Sequence, residues 1–395
     1  MRSSLLIFII SFAMLFSCSG EKGAGTSVFI VERENGNLSV VDYSELRLTD
    51  RIETSGNLRH ASMVFSPDLT YGYIVSRDGV ISKINLHEKR EVDSLKVSEN
   101  SIAIAISQDG RYLAAANYKP GSISLIDLLT FKKIQTIPAE FSVKGNKTAS
   151  RVTGLVDAPG NRFVCSLMDS DEIWILGPSA DANESPFKVE RKIKASAKNP
   201  FDALITSDGR YYIAGHFKQD RVSLVDLWSD ETTAKSIIIR KANQNSKLAV
   251  KMPHMEGWAV GENKILIPVT SDNRLYAVSY PGFQPAGFID LIGAPVYAVV
   301  RPDRREVWVT FSGDDHDGKV QIIDLMTMKS SSVIDAGKRI YHLVFTPRGD
   351  RAILSSNESN EVVILDAMNY DILKKISVHS PSGIFGIWRA FQIGL

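Results

Sequence analysis

About every forty to fifty residues this sequence repeats one phrase: a hydrophobic run, a tight turn, a second apolar run, then an ending of the form hydrophobic-Asp-Leu. Phe65-Ser66-Pro67-Asp68, Ile106-Ser107-Gln108-Asp109, Ile205-Thr206-Ser207-Asp208, Val300-Arg301-Pro302-Asp303 and Phe345-Thr346-Pro347-Arg348 are copies of the turn. Ile126-Asp127-Leu128, Val225-Asp226-Leu227 and Ile323-Asp324-Leu325 are copies of the ending, echoed by Val41-Asp42 and Leu365-Asp366. The runs between them are short and rich in Val, Ile, Leu and Tyr, without long 3.6-residue periodicity, so they read as strands. Four antiparallel strands per unit at this spacing is the signature of a propeller.

Units begin near Arg59, Ser101, Arg151, Pro200, His254, Pro295 and Ile340, after an incomplete unit from Val28 to Glu53. The expectation is an all-β chain forming an eight-bladed β-propeller; a seven-bladed ring follows instead if the weak unit from 254 to 291 is irregular. The incomplete unit lacks an innermost strand, and the chain ends on an unassigned apolar segment from Gly383 to Phe391. Closure by that C-terminal strand is expected, because it removes an exposed sheet edge. A chain of 395 residues could hold two domains, but the uniform repeat argues for one array. Its net charge of +1 and pI of 7.7 lack the basic footprint of a nucleic-acid binder. Nucleic acid is therefore not an expected partner.

Arg2, the apolar stretch from Leu5 to Phe16 and the small residues Ser17 to Gly20 make an export signal, too short for a membrane-spanning helix. Leu15-Phe16-Ser17-Cys18 resembles a bacterial lipobox, with residues 1–18 ending on Cys18 as the lipidated position. The other reading is a soluble periplasmic protein cut nearby. Ser19 after the cysteine resembles lipoproteins sent to the outer membrane, so the membrane is expected to be met only through a lipid anchor. Residues 19–27 would be a flexible tether and 28–395 the propeller. Cys165, in an apolar strand, reads as a buried small hydrophobe, so there is no disulfide framework. There is no CxxCH, hence no covalent c-type heme.

Residues just before each innermost strand converge on one mouth of the central channel. With Asp68 matched to Glu262, His60 and His254 both lie eight residues ahead of the turn, in blades two and six, opposite one another in an eight-bladed ring. That arrangement suits a planar ligand between imidazoles, with a metal at its centre taking neutral imidazole from one side. For either one, a hydrogen-bonded strand histidine is the plainer alternative. His342 falls two residues farther along its strand, on the same side; with His254 it is a candidate for proton transfer. Arg59, Arg151, Lys251, Arg77 and Arg339 could meet ligand carboxylates, since guanidinium and carboxylate form strong charge-assisted pairs. His87 and His316 read as solvated, His216 as mouth-facing or packed, and His379 as near the closure segment. Asp314, Asp315 and Asp317 lack the ordered spacing of a calcium loop. There is no GxSxG, P-loop or HExxH, and Gly20, Gly23 and Gly25 are no dinucleotide fingerprint.

Several segments resemble one family closely: Arg59-His60-Ala61-Ser62-Met63-Val64-Phe65-Ser66-Pro67, Arg77-Asp78-Gly79, Arg151 to Gly160, Asp202-Ala203-Leu204-Ile205, Lys251-Met252-Pro253-His254-Met255-Glu256-Gly257-Trp258 and Ser380 to Phe385. They look like the NirF family of heme d1 biosynthesis proteins of denitrifying bacteria, over essentially the whole mature chain. Wider relatives are the heme d1 domain of cytochrome cd1 nitrite reductase and the dihydro-heme d1 dehydrogenase, both eight-bladed propellers. By that resemblance His60 corresponds to the proximal iron-ligating histidine and His254 to one of two distal histidines, the other distal position being Phe201. Phe201 cannot move a proton and no c-type heme supplies electrons, so nitrite reduction is not implied. What is implied is a late step on heme d1 or its iron-containing dihydro precursor, such as trimming or oxidation of a propionate, by an oxidoreductase or lyase. A non-catalytic carrier, in transient contact with the dehydrogenase and nitrite reductase, is the alternative; an envelope scaffold is the third.

Overall fold

The computed structural model describes residues 24–179, 185–239, 259–313 and 315–393. These form eight four-stranded antiparallel sheets. From blade two to blade eight the innermost strands are Ser62–Phe65, Asn100–Ile106, Val152–Ala158, Pro200–Ile205, Ala259–Val260, Ala294–Val300 and Ile340–Phe345, with later strands outward in chain order. Blade one is completed from the other end of the chain, Pro381–Gly386 lying inside Ser27–Glu32, Asn37–Asp42 and Arg47–Glu53. Val28 pairs with Gly386, Phe29 with Phe385 and Ile30 with Ile384, so the expected closure is present. The weak unit is a full blade six, and the ring is eight-bladed.

Each pair of neighbouring blades shares one apolar cluster, which is what makes the ring continuous. Phe29 and Leu38 of blade one meet Met63, Ile74 and Ile84 of blade two; Val28 and Ile30 meet Ile353 and Ile364 of blade eight on their other side. Because the inner strands are covered on both faces, they read as continuous apolar runs rather than alternating ones. The outermost strands, such as Arg47–Glu53, are mostly partly or fully exposed and polar. At about 1.5–3 kcal/mol per fully buried large apolar side chain, stability is spread around the ring rather than held in one centre.

The repeated phrase is turn chemistry on one face, here the lower face. After the innermost strands of blades two, three, five and eight a hydroxyl and an aspartate lock the hairpin: Ser66 Oγ donates to Asp68 at 2.6 Å and accepts from the Tyr71 N–H at 2.9 Å, and Thr206 does the same with Asp208 and Tyr211. The Asp of the Asp-Leu ending accepts backbone N–H groups of the next turn: Asp127 from Leu129 and Thr130, Asp366 from Met368 and Asn369. Such side-chain caps fix a turn without a ladder partner. Arg111 and Arg210 then pair with Asp127 and Asp226 across strands.

The fold starts earlier than the boundary expected at residue 28. Ala24–Thr26 form a 3-10 turn, Ala24 is buried against the core between blades one and two, and Ser27 already pairs with Asp42. Of the expected 19–27 tether, therefore, 24–27 belong to the propeller, because Ala24 finds an apolar surface to bury against and Ser27 a strand to pair with. Cys18 and residues 1–18 lie outside the described residues. Cys165 is fully buried, and burial pushes its thiol up to about 12. Between blades three and four an added hairpin, Glu140–Val143 with Asn146–Ala149, stands out into solvent.

Candidate functional site

The upper mouth is built from the connections that enter the innermost strands and from the turns between second and third strands. Just inside it, the innermost strands of blades three, four, five, seven and eight are bulged against their neighbours, which re-aims side chains that a regular strand would bury between blades. Phe201 and Asp202 are the two residues of the blade-five bulge, between the paired Pro200 and Ala203. Room for it comes from Gly154 in blade four, at φ +52, where an added Cβ would lie 2.7 Å from the Phe201 carbonyl oxygen and 2.8 Å from the Tyr212 hydroxyl.

His60 lies two residues ahead of the blade-two inner strand, partly buried. Strand pairing puts Ser101, Val152, Pro200, Pro295, Ile340 and Pro381 at its level in the other described blades. An ionisable side chain at that level is peculiar to His60 among them. The pairing also moves the match with His254 by one residue. Only Glu262 and Asn263 separate the bonded Gly261 and Lys264 in blade six, against four residues between Ser66 and Tyr71 in blade two, so Asp68 and Glu262 are not equivalent. Counted from the paired ends, Phe65 and Val260, His60 is five residues back and His254 six. His254 and Lys251 themselves lie outside the described residues, as does Asp314.

Blade two supplies two arginines. Asn57 ties their loops together: its N–H donates to Asp78 Oδ1, its carbonyl accepts from the Arg77 N–H and its Oδ1 from the Arg59 N–H, each at 3.1 Å. Arg59 is exposed, Arg77 partly buried, and neither makes an ion pair among the described residues. A cleft of about 370 Å³ lies between Arg59 and blade one, lined by Arg33 to Gly36 and Gly56 to Arg59. A second cleft, on the lower face under Arg389 to Ile393, is remote from these groups.

Tyr118 of blade three sits next in the ring, with the Arg77 guanidinium 5.3 Å and that of Arg151 6.0 Å from its ring centre. Arg151 is held by blade four's Asp169 through Nε at 3.0 Å and a second nitrogen at 2.5 Å. Burial, with the negative charge of the buried Asp202 behind it, pushes the Tyr118 phenol up to about 12, so it is a neutral donor. Phe201 packs on Phe217, ring centres 5.9 Å apart, giving blade five an apolar wall. Arg339 instead pairs with Glu358 at 2.9 Å.

The remaining histidines divide by their bonds. His342 is buried; its Nδ1 accepts the Ile384 N–H of the closing strand at 3.1 Å, and its ring meets Tyr297 edge-on. An accepting Nδ1 assigns the proton of the neutral ring to Nε2. His216 proves packed rather than mouth-facing: it is fully buried between the Lys198 carbonyl and Ser223 Oγ, and burial lowers its pKa to about 4. His316 is partly buried against Gly293 rather than solvated; His87 is exposed, and His379 lies 3.7 Å from Glu34.

Tyr118, Asp169 and Phe217 are the mouth residues that the sequence reading passed over. Aligning the second strands from the partners of the last inner-strand residues, Gly72, Leu113 and Tyr212, would have found Tyr118: Ser76, Asn117 and His216 are then level, and the next positions hold Arg77, Tyr118 and Phe217.

The chain matches the family model described as Cytochrome D1 heme domain over residues 24–390. Protein NirF of Stutzerimonas stutzeri is 37% identical over 392 residues, 98% of this chain and 99% of that protein. Protein NirF of Pseudomonas aeruginosa is 37% identical over 386 residues, 97% of each. The dihydro-heme d1 dehydrogenase of P. aeruginosa is 25% identical, over 91% of this chain and 70% of its own. In fold the chain is similar to the solved structure of dihydro-heme d1 dehydrogenase NirN in complex with DHE, with a TM-score of 0.79 and 23% identity over 93% of this chain and 76% of that one.

Proposed function

The chain belongs to the NirF family of cytochrome D1 heme-domain proteins, whose role is in heme d1 biosynthesis, and on that premise we propose that it takes a late iron-tetrapyrrole precursor, or heme d1 itself, at the upper mouth through His60. The observation that carries the reading is the full-length family match. The mouth's donor set fits such a substrate. It offers one imidazole at a level no other described blade repeats, Arg59 and Arg77 without ion pairs among the described residues, a neutral phenol and the Phe201–Phe217 wall. In this reading His60 presents a neutral imidazole nitrogen to the iron. Arg59 and Arg77, with Arg151 beside them, meet the carboxylate arms. Phe201 covers the ring plane without offering a proton, and Asp202, His342 and His254 are the groups from which a proton could be held or moved.

The step proposed is trimming or oxidation of a side chain before the cofactor passes on. Handing the bound precursor, unchanged, to the dehydrogenase or nitrite reductase is the carrier form of the same reading. Cys18 is proposed as the lipidated residue of a periplasmic, outer-membrane-anchored protein, and mass spectrometry of the mature N-terminus tests it.

Titration of purified protein with heme d1 or its dihydro precursor should give a shifted absorption spectrum, and His60→Ala should abolish the shift and lower affinity about a hundredfold, more than a neutral hydrogen bond supplies. An unchanged spectrum and affinity in His60→Ala removes the axial role. Chromatography of the tetrapyrrole after incubation separates enzyme from carrier: unconverted precursor leaves the carrier.

A further inference from the structure

The connection from blade three to blade four carries an element that belongs to no blade, the hairpin of Glu140–Val143 with Asn146–Ala149. Its root is fixed. The Ala139 N–H donates to the Gly121 carbonyl at 3.1 Å, the Ser150 N–H to the Ala139 carbonyl at 2.8 Å, and Ser150 Oγ accepts the Asp169 N–H at 2.9 Å. An added Cβ on Gly121 would overlap the Ser150 carbonyl, so this close approach needs glycine. Ala139 and Ser150 are fully buried. Gly121 stands three residues past Tyr118, and Arg151 follows Ser150 directly. The hairpin is therefore rooted at the rim of the mouth, between the strands that bring Tyr118 and Arg151 together.

Past the root the arm is open to water. Every strand residue but Phe141 is exposed, although a two-stranded hairpin without a packed face is marginal in water. Its shape is nonetheless set in advance, because Lys144 at φ 50 and Gly145 at φ 85 make a two-residue turn whose twist matches the strands. The two faces differ. Glu140, Ser142, Lys147 and Ala149 share one, on which Glu140 and Lys147 pair at 3.3 Å. Phe141 and Val143 share the other with Thr148 and Asn146, and Val143 is 47% exposed. One face is suited to water and the other is apolar and open, on an arm that reaches about 16 Å from its root.

We propose that the Glu140–Ala149 hairpin is a flap that closes over the ligand at the upper mouth, laying Phe141 and Val143 on the plane turned toward solvent. A planar macrocycle supplies the broad apolar surface that this face of the arm lacks, and covering two apolar side chains with it stabilises the closed position. The buried root stays in place, so the movement is confined to the links at Glu140 and Ala149. Closure slows escape of the ligand more than its entry, because the flap's contacts form after arrival. It also removes water from the side-chain chemistry proposed above.

The flap rests on the tetrapyrrole reading, and the test separates the two. Hemin is bound to the purified full chain, and its release to excess apomyoglobin is timed for the wild type, for a variant in which Gly-Gly replaces residues 141–148, and for Phe141→Ser with Val143→Ser. Release should be about tenfold faster in the shortened chain and nearly as fast in the double variant, with association within about twofold of the wild type in both. In the wild type, hemin should slow tryptic cleavage after Lys144 and Lys147 about fivefold; this readout needs no variant to fold. Unchanged release from the shortened chain would overturn the flap and leave the tetrapyrrole reading standing, the arm then being free to meet a protein partner. Faster release without tryptic protection would overturn it as well, since that pattern marks damage at the root. A wild type that binds no hemin would overturn both.

Discussion

The lower and upper faces of the ring are made by the same four-stranded unit, but their polar groups are used in opposite ways. Below, hydroxyls, aspartates and arginines recur at fixed offsets and are consumed by one another: Ser66 by Asp68, Asp127 by Leu129 and Thr130, Asp226 by Arg210. The Arg210 guanidinium holds the Asp226 carboxyl below its ordinary range. Above, no two blades carry the same set, and Arg59, Arg77 and Tyr118 are left with donors to spare among the described residues. A repeat that satisfies itself builds the scaffold, and departures from it leave chemistry over for a ligand.

The largest expected effect tests where scaffold and mouth meet. Gly154→Ala forces a side chain into a left-handed residue pressed against Phe201 and Tyr212, and urea unfolding should show a loss of about 3 kcal/mol. A loss below about 0.5 kcal/mol would show that the blade-five bulge does not depend on this close approach.

His216 gives an effect of similar size that depends on pH. Its folded pKa, near 4, lies below the ordinary value of 6.5, so the unfolded chain binds the proton more readily. Its contribution is fully present above about pH 6.5 and is lost as pH falls toward 4, amounting to about 3 kcal/mol at most. His216→Gln should flatten that part of the stability–pH curve; an unaltered slope would place the acid sensitivity elsewhere.

The smallest effects separate the faces directly. Asp226→Ala removes a partly buried turn cap and should cost about 1 kcal/mol of stability with no change in tetrapyrrole affinity. Arg59→Gln should leave stability within about 0.5 kcal/mol and weaken binding severalfold. The reverse pattern in paired melting and titration experiments would break the division between satisfied scaffold and open mouth.

Much of this was legible in the chain because the scaffold is local. The turn phrases are spelled by residues two to five positions apart, so blade count, ring closure and the peculiarity of His60 can be read from spacing alone. What escaped depends on pairing between strands. The match of His60 with His254 was counted from turns, and the shorter blade-six hairpin shifts it by one residue. Tyr118 looks like an ordinary strand end in Asn117-Tyr118-Lys119; its meaning comes from Arg77 and Arg151, which neighbouring blades deliver. His342 was placed on its strand correctly, but the closing strand that binds its Nδ1 is more than forty residues away in sequence.

The closing strand also has a consequence in time. Ser382 Oγ reaches the Val31 carbonyl across a sequence separation of 351 residues, and the last strand made is the innermost of the first blade. A chain that emerges from its N-terminus can stack blade on blade while it is being delivered, yet the ring stays open until Pro381–Gly386 arrives. A copy that stops before Pro381 would lack the latch, and its blade one would present an unpaired edge to proteases. Blade one is therefore finished only when Pro381–Gly386 has been delivered, so the first blade begun is the last completed.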